Sequence, residues 1–253
     1  NGIPCIDRAA MLGLISEQCK NCIAVAGTHG KTTTTAMISQ IYYSAGVEPT
    51  IHIGGVLPSI QSNVYTGREE FFITEACEYV DSFLTLHPYI AVVLNIDLDY
   101  FKTVENIYRS FLKFCGLVPE NGFVIGCYDD ERTRKLLAEC GRKTVSFGLD
   151  PKADYHAANI RFGSDGCAEY DLLKGTEMLC RVELSVIGMV NVLNSMAAII
   201  SAELGGIPIE KILQGLREFK GAGRRFEYRG TYNGAKIYND YGHHPEEVAA
   251  TIQ

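Results

Sequence analysis

Residues Val25 to Thr35 read V-A-G-T-H-G-K-T-T-T-T, and these residue types at this spacing suit the binding of phosphate. Gly27 and Gly30 allow backbone N–H groups to turn inward around an anion, and Lys31 brings a point charge to it. Thr32 follows the lysine, where such loops place a hydroxyl on Mg2+. A helix starting there aims the positive end of its dipole at the same point. The ligand expected from this chemistry is a nucleoside triphosphate with its metal. Thr28, His29 and Thr33 complete the loop. Only Thr28 and His29 separate the two glycines, whereas the common Walker pattern has four intervening residues. A bare G-K-T is compatible with an ordinary turn; an apolar strand, two glycines, lysine and threonine in one run are what point to phosphate.

Other residues become candidates through the elements that would carry them. In open α/β sheets, ligands gather at the carboxyl ends of the strands. Glu75 follows the apolar run Phe71–Thr74 and is placed to hold Mg2+, directly or through water; alternatively Glu75, Glu78 and Asp81 form a solvated loop. Asn95 and Asp97 stand after Ala91–Leu94 as either supports of a metal site or turn residues. Asn191 and Asn194, in G-M-V-N-V-L-N, lie one helical turn apart. Two amides so placed can offer donor and acceptor to a purine edge, or can cap and pack a helix. Arg224 and Arg225 present guanidinium forks suited to a phosphate or a surface turn. Asp240, His243 and His244 in N-D-Y-G-H-H-P suit a metal, or a local cap and turn.

The elements required to position these groups follow from periodicity and punctuation. A helix is expected over Ala9–Gln18, a buried strand over Cys22–Ala26 and a helix over Thr33–Ala45, closed by Gly46. Apolar strands are expected at Glu70–Thr74, Ile90–Ile96, Gly122–Cys127 and Thr144–Phe147, with helices over Val104–Phe114 and Asp130–Cys140. This alternation predicts an α/β fold, a P-loop-type mostly parallel sheet covered by helices. After Asp150 the segments Tyr155–Phe162, Ala168–Leu173 and Glu177–Val186 predict a small antiparallel β addition. Helices resume at Asn191–Leu204 and Ile209–Phe219, strands follow near Phe226–Tyr232 and Ala235–Asn239, and Pro245 opens a further helix.

The 253 residues are 47% hydrophobic and 21% charged, enough for a substantial core in one large domain with pieces of neighbours. A net charge of −7 disfavours a general nucleic-acid or membrane-surface binder, so anion recognition must be local. No apolar run has the length of a membrane span and Asn1–Arg8 lacks the pattern of a secretion signal, from which a cytoplasmic location is expected. Nine scattered cysteines suit reduced thiols used as small hydrophobes. Cys19 and Cys22 form a C-x-x-C without a second pair, and Cys22 opens the buried strand.

Taken in order, A-G-T-H-G-K-T-T-T-T, E-A-C-E, L-N-I-D, N-V-L-N, G-R-R-F and N-D-Y-G-H-H-P resemble the motifs of the Mur ligases over nearly the whole chain. The resemblance implies a remnant of an N-terminal UDP-binding domain and linker at 1–20, a central ATP-binding domain at 21–225 and the start of a C-terminal domain at 226–253. It further implies ATP and Mg2+ as cofactors. The small-molecule partners would be UDP-N-acetylmuramate, whose carboxylate is phosphorylated, and L-alanine, whose amine attacks the acyl phosphate; a related UDP-muramate peptide ligase and a nucleotide-binding module without activity are the alternatives. By position, Lys31 would hold the terminal phosphates, Thr32 and Glu75 the magnesium, and Asn191 and Asn194 the adenine side. Arg225 and Asp240 would close the domains on ATP. Two departures stand out. The family's N-I-x-x-D-H-x-D reads here N-I-D-L-D-Y, about three residues short and without its histidine, so residues are expected to be missing from the sequence between Asp97 and Tyr100. Val190 replaces a histidine common before the first asparagine.

Overall fold

The structure, a computed structural model, describes residues 5–97, 104–242 and 248. The expectations placed on Leu98–Tyr100, His243, His244 and Pro245 lie outside these residues. The chain runs α1 (Arg8–Gln18), β1 (Asn21–Ala26), α2 (Lys31–Ser44), β2 (Pro49–Leu57), β3 (Ser62–Tyr65) and β4 (Arg68–Glu75). After a 3-10 segment at Tyr79–Thr85 come β5 (Ile90–Val93), α3 (Val104–Gly116), β6 (Phe123–Cys127), α4 (Glu131–Glu139) and β7 (Thr144–Gly148). Three long strands follow, β8 (Tyr155–Phe162), β9 (Cys167–Lys174) and β10 (Glu177–Ile187), then α5 (Met189–Leu204), α6 (Ile209–Glu218), β11 (Glu227–Tyr232) and β12 (Ala235–Asn239).

Local chemistry accounts for several of these boundaries. Asp7 caps α1 by accepting from the N–H groups of Ala9 and Ala10, and Asp130 caps α4 by accepting from Thr133 N–H at 2.7 Å. The helix α2 begins at Lys31, two residues earlier than its apolar pattern indicates, because Gly30 in a left-handed conformation turns the chain directly from loop into helix. It gives way to Gly46 at a φ of 76°.

Ten strands form one sheet in the order β10-β9-β8-β7-β6-β5-β1-β4-β2-β3. From β2 to β8 neighbouring strands are parallel, while β3, β9 and β10 pair antiparallel at the two ends. The antiparallel group expected after Asp150 is therefore the edge of the main sheet, joined through Phe147 beside Tyr155 and Gly148 beside His156. A separate two-stranded antiparallel sheet is made by β11 and β12. The strands β2 and β3, unforeseen from the sequence, extend the sheet beyond β4.

Helices cover both faces. One core gathers Ile23 and Val25 of β1 with Ile38, Ile41 and Tyr42 of α2, Ile199 and Ile200 of α5 and Leu216 of α6. The other gathers Cys22, Ala24 and Ala26 of the same strand with Phe72, Phe83, Phe111, Phe114 and Leu136. Strand alternation sends successive β1 side chains to opposite layers, and its central position leaves both sets buried. Phe83 anchors the 3-10 segment, stacking on Phe114 at 4.8 Å and meeting Phe111 edge-on at 5.3 Å. Burial of such a ring contributes about 1.5–3 kcal/mol. Among the described residues, no helix is long and apolar enough to cross a membrane.

Candidate functional site

At the carboxyl end of β1 the chain turns through Gly27, at a φ of 143°, and Gly30, at 86°, into the first turn of α2. Gly30 has a second constraint: a Cβ there would lie 2.9 Å from Asn194 Oδ1 and 3.0 Å from Leu94 Cδ1. The loop is held from below by the segment after β5. Asn95 Oδ1 accepts from the His29 N–H at 2.8 Å, and Asn95 Nδ2 donates to the His29 carbonyl at 3.1 Å. Buried Thr28 accepts at Oγ1 from the Asp97 N–H at 2.8 Å, and its own N–H donates to the Asn95 carbonyl at 3.3 Å. Arg132 braces this second layer, donating to the Ile96 carbonyl at 3.0 Å and pairing with Asp97 at 3.6 Å. Asn95 and Asp97, read from the sequence as supports of a metal site or as turn residues, are placed by the geometry as braces of the glycine loop through His29 and Thr28, a role neither reading named.

Lys31 turns back into the loop. Its ammonium donates to the carbonyls of Gly27 and Thr28 and pairs with Glu78 at 3.0 Å, both side chains being mostly buried. Glu78 is thus no part of a solvated loop; only 9% of it is exposed. Thr32, also buried, accepts at Oγ1 from Arg225 Nη2 at 3.2 Å, so the arginine of the G-R-R-F turn reaches the glycine loop across a separation of 193 residues. Thr33 is half-buried on the same turn of α2.

Glu75 closes β4 beside Val25 of β1, and its Oε1 accepts from the Gly54 N–H at 2.6 Å. The adjoining Gly55 lies against Thr32: a Cβ there would be 3.2 Å from Thr32 Cγ2. The glycine pair in β2 therefore bridges Glu75 and Thr32. Sequence reading missed this pair, although Ile51 and Ile53 alternating with Thr50 and His52 are a period-two strand signal, matched by the alternating burial from Ile51 to Leu57. A hydroxyl and a carboxylate are oxygen donors suited to Mg2+, which keeps waters and shares phosphate oxygens. No group of three or more His, Cys, Asp or Glu suited to a metal occurs among the described residues. The two-donor set fits an ion completed by a nucleotide.

His52 precedes that glycine pair, with Nδ1 3.2 Å from Thr74 Oγ1, and lines a cavity of about 40 Å³ together with Arg8, Glu75, Cys77 and Ser82. Burial, assisted by the nearby Arg8 charge, holds its pKa below the usual value despite an opposing pull from Glu75. Cys22 stays a core thiol whose pKa burial raises.

Asn191 caps the end of β10 through a 2.8 Å bond to the Ile187 carbonyl, and its Oδ1 accepts from Asn194 Nδ2 at 3.0 Å. Asn194 is 5% exposed and accepts from Thr34 Oγ1 at 3.2 Å, directly beneath Gly30. Val190, in the histidine position, is 45% exposed beside them. Asp240 does not reach the loop directly. It shapes the turn around Arg225, accepting from the Phe226 N–H at 2.7 Å and the Gly242 N–H at 2.6 Å. The guanidinium groups of Arg224 and Arg225 lie 5.2 and 5.3 Å from the Tyr241 ring centre.

A mostly parallel sheet with a glycine-rich loop after its central strand, and a carboxylate at the end of the neighbouring strand, is an α/β architecture of the P-loop type. The family described as Mur ligase middle domain matches residues 25–202, and the chain belongs to the Mur ligases. It is 46% identical over 256 residues to a UDP-N-acetylmuramate--L-alanine ligase of Acetivibrio thermocellus, and 44% identical over 255 residues to that of Caldanaerobacter subterraneus. Each comparison covers 100% of this chain and 55% of the relative, so the chain spans about half the length of these proteins. The crystal structure of UDP-N-acetylmuramate-alanine ligase from Thermotoga maritima superposes with a TM-score of 0.82 at 26% identity, covering 95% of this chain and 55% of that one. A UDP-N-acetylmuramate:L-alanyl-gamma-D-glutamyl-meso-diaminopimelate ligase from Neisseria follows at 0.77 and 26% identity, covering 88% and 73%.

Proposed function

We propose that the chain is the nucleotide-binding part of an ATP-dependent ligase that joins L-alanine to the carboxylate of UDP-N-acetylmuramate in peptidoglycan synthesis. The observation that carries this reading is the meeting of Lys31, Thr32 and Arg225 at one phosphate loop, with Glu75 one strand away. The names of relatives matched along the whole chain support the substrates. Residues 1–20 are the remnant of the UDP-binding domain and linker, 21–225 the ATP-binding domain and 226–253 the start of the C-terminal domain. The protein works in the cytoplasm, on small molecules.

In this reading Gly27, Thr28, His29, Gly30 and Thr33 form the phosphate cradle with their backbone groups. Lys31 and Arg225 neutralise charge on the transferred phosphoryl group, and Asp240 holds the turn that presents Arg225. Thr32 and Glu75 would hold Mg2+, which when bound would supply positive charge to the phosphates. Asn191 and Asn194 stand on the adenine side, Asn194 acting from beneath through its bond to Asn191. Closure of the domains excludes water from the acyl phosphate.

The test is phosphate release from ATP by the longer gene product that carries this segment. Release that requires both UDP-N-acetylmuramate and L-alanine is expected. The isolated chain is expected to bind Mg-ATP weakly and to ligate nothing. Release that needs a muramyl peptide instead of L-alanine would favour the related peptide ligase. ATP binding without release in any combination would leave a nucleotide-binding module, the alternative kept open by Val190 in the histidine position and by the sequence N-I-D-L-D-Y.

A further inference from the structure

We propose that Glu78 restrains Lys31 in the nucleotide-free protein and so sets the affinity of the loop for phosphates. This rests on the phosphate-loop reading and adds to it a positioning residue outside the loop.

A lysine ammonium has three donors and no acceptor. Here they meet the Gly27 carbonyl, the Thr28 carbonyl and Glu78 Oε1, the last at 3.0 Å. A phosphate that recruits Lys31 must displace at least one of these partners. The two carbonyls belong to the loop itself and are neutral. Glu78 alone brings a full negative charge, and it does so where solvent screens poorly, with the side chains of Lys31 and Glu78 only 17% and 12% exposed. An incoming phosphate therefore competes with an anion of its own sign for the same cation.

The competitor cannot easily withdraw. The chain after Glu78 folds back at once, with the Asp81 N–H donating to the Glu78 carbonyl at 3.1 Å and the Phe83 N–H to the Cys77 carbonyl at 2.9 Å. Phe83 is 1% exposed, locked between Phe111 and Phe114. Glu78 thus remains close to the loop when Lys31 is drawn away, its carboxylate then facing phosphate without its cation. The second carboxylate oxygen, Oε2, is buried and has no hydrogen-bond partner, so no other group stands ready to compensate the lost ion pair. Both effects oppose phosphate binding and both depend on the charge of one side chain.

Removing that charge while keeping the shape should tighten binding in proportion to the phosphates that reach Lys31. Calorimetric titration of the chain with ATP, ADP and AMP, with and without Mg2+, reads this directly. Glu78→Gln is expected to raise affinity for ATP and ADP about five- to tenfold and to leave AMP unchanged. Glu78→Ser, which removes the charge by truncation, should give the same ordering and covers the case in which glutamine packs badly. Unchanged or weaker ATP binding in the folded variants would overturn the proposal, as would an equal gain for all three nucleotides. Lys31→Ala keeps the two readings apart. Wild-type affinity in that variant would overturn the phosphate-loop reading itself. Lost affinity there, without a gain in the Glu78 variants, would overturn only the restraint.

Discussion

The side chain of Asn95 and the backbone of His29 close a reciprocal pair of hydrogen bonds, 2.8 Å to the N–H and 3.1 Å from the carbonyl. One amide thereby fixes the peptide groups on both sides of the middle residue of the loop.

Asn95→Ala is accordingly expected to lower stability by about 1–3 kcal/mol, since it leaves partly buried backbone groups unpaired. ATP affinity should fall with it. Asn95→Asp keeps the acceptor for His29 N–H but adds a negative charge beside the phosphates, so it should be milder for stability and harsher for ATP. Denaturant midpoints and titrations on the two variants check the crossing of effects; parallel losses would place Asn95 outside the phosphate loop's electrostatics.

Gly30→Ala combines a left-handed backbone with crowding against Asn194 and Leu94, whereas Gly141→Ala has a φ of 63° and no neighbour within 4 Å. The first should lose about 2–4 kcal/mol and the second about 1 kcal/mol, the difference measuring the crowding. Equal shifts in melting temperature would show that Asn194 and Leu94 yield freely.

For the asparagine pair, Asn191→Ala is expected to reduce discrimination of ATP from GTP with little loss of stability. Asn194→Ala should cost both, about 1–3 kcal/mol in stability, because its amide bridges Thr34 and Asn191 inside the fold. Competition titrations with the two nucleotides decide; an unaltered preference in Asn191→Ala would remove the pair from the adenine side.

His52 supplies a pH dependence of definite sign. Its folded pKa lies below the ordinary 6.5, so the unfolded chain binds the proton more readily. The stability it contributes is present above pH 6.5 and is lost as the pH falls through the folded value. The melting temperature of the wild type relative to His52→Gln should therefore decline from pH 7.5 to pH 5. A constant difference across that range would show that the ring titrates alike in both states.

Much of this architecture is legible in the residues because buried parallel strands read as apolar runs: Cys22–Ala26, Gly122–Cys127 and Thr144–Phe147 all lie in strands within a residue of those limits. Tyr155–Phe162 and Ala235–Asn239 match their strands outright. What fails is informative. His52, Gly54 and Gly55 interrupt β2 with residues that resemble a turn, yet the two glycines are there because Glu75 and Thr32 leave little room for a side chain. The antiparallel strands looked like an appendage since nothing local encodes the two-residue pairing of β7 with β8. The brace by Asn95 and the restraint by Glu78 are contacts made across 66 and 47 residues, and spacing along a chain carries no record of such distances.

The strand β1 is a wall shared by two rooms, with Ile23 and Val25 facing one core and Cys22, Ala24 and Ala26 the other. Neither helical layer can melt without stripping one face of the strand that leads into the glycine loop. Unfolding should hence be a single cooperative transition, and the loop should borrow its stiffness from the entire sheet. A cavity cut at Phe114 on one side, or at Tyr42 on the other, would then be felt as a slacker grip on phosphate, although neither residue ever meets the ligand.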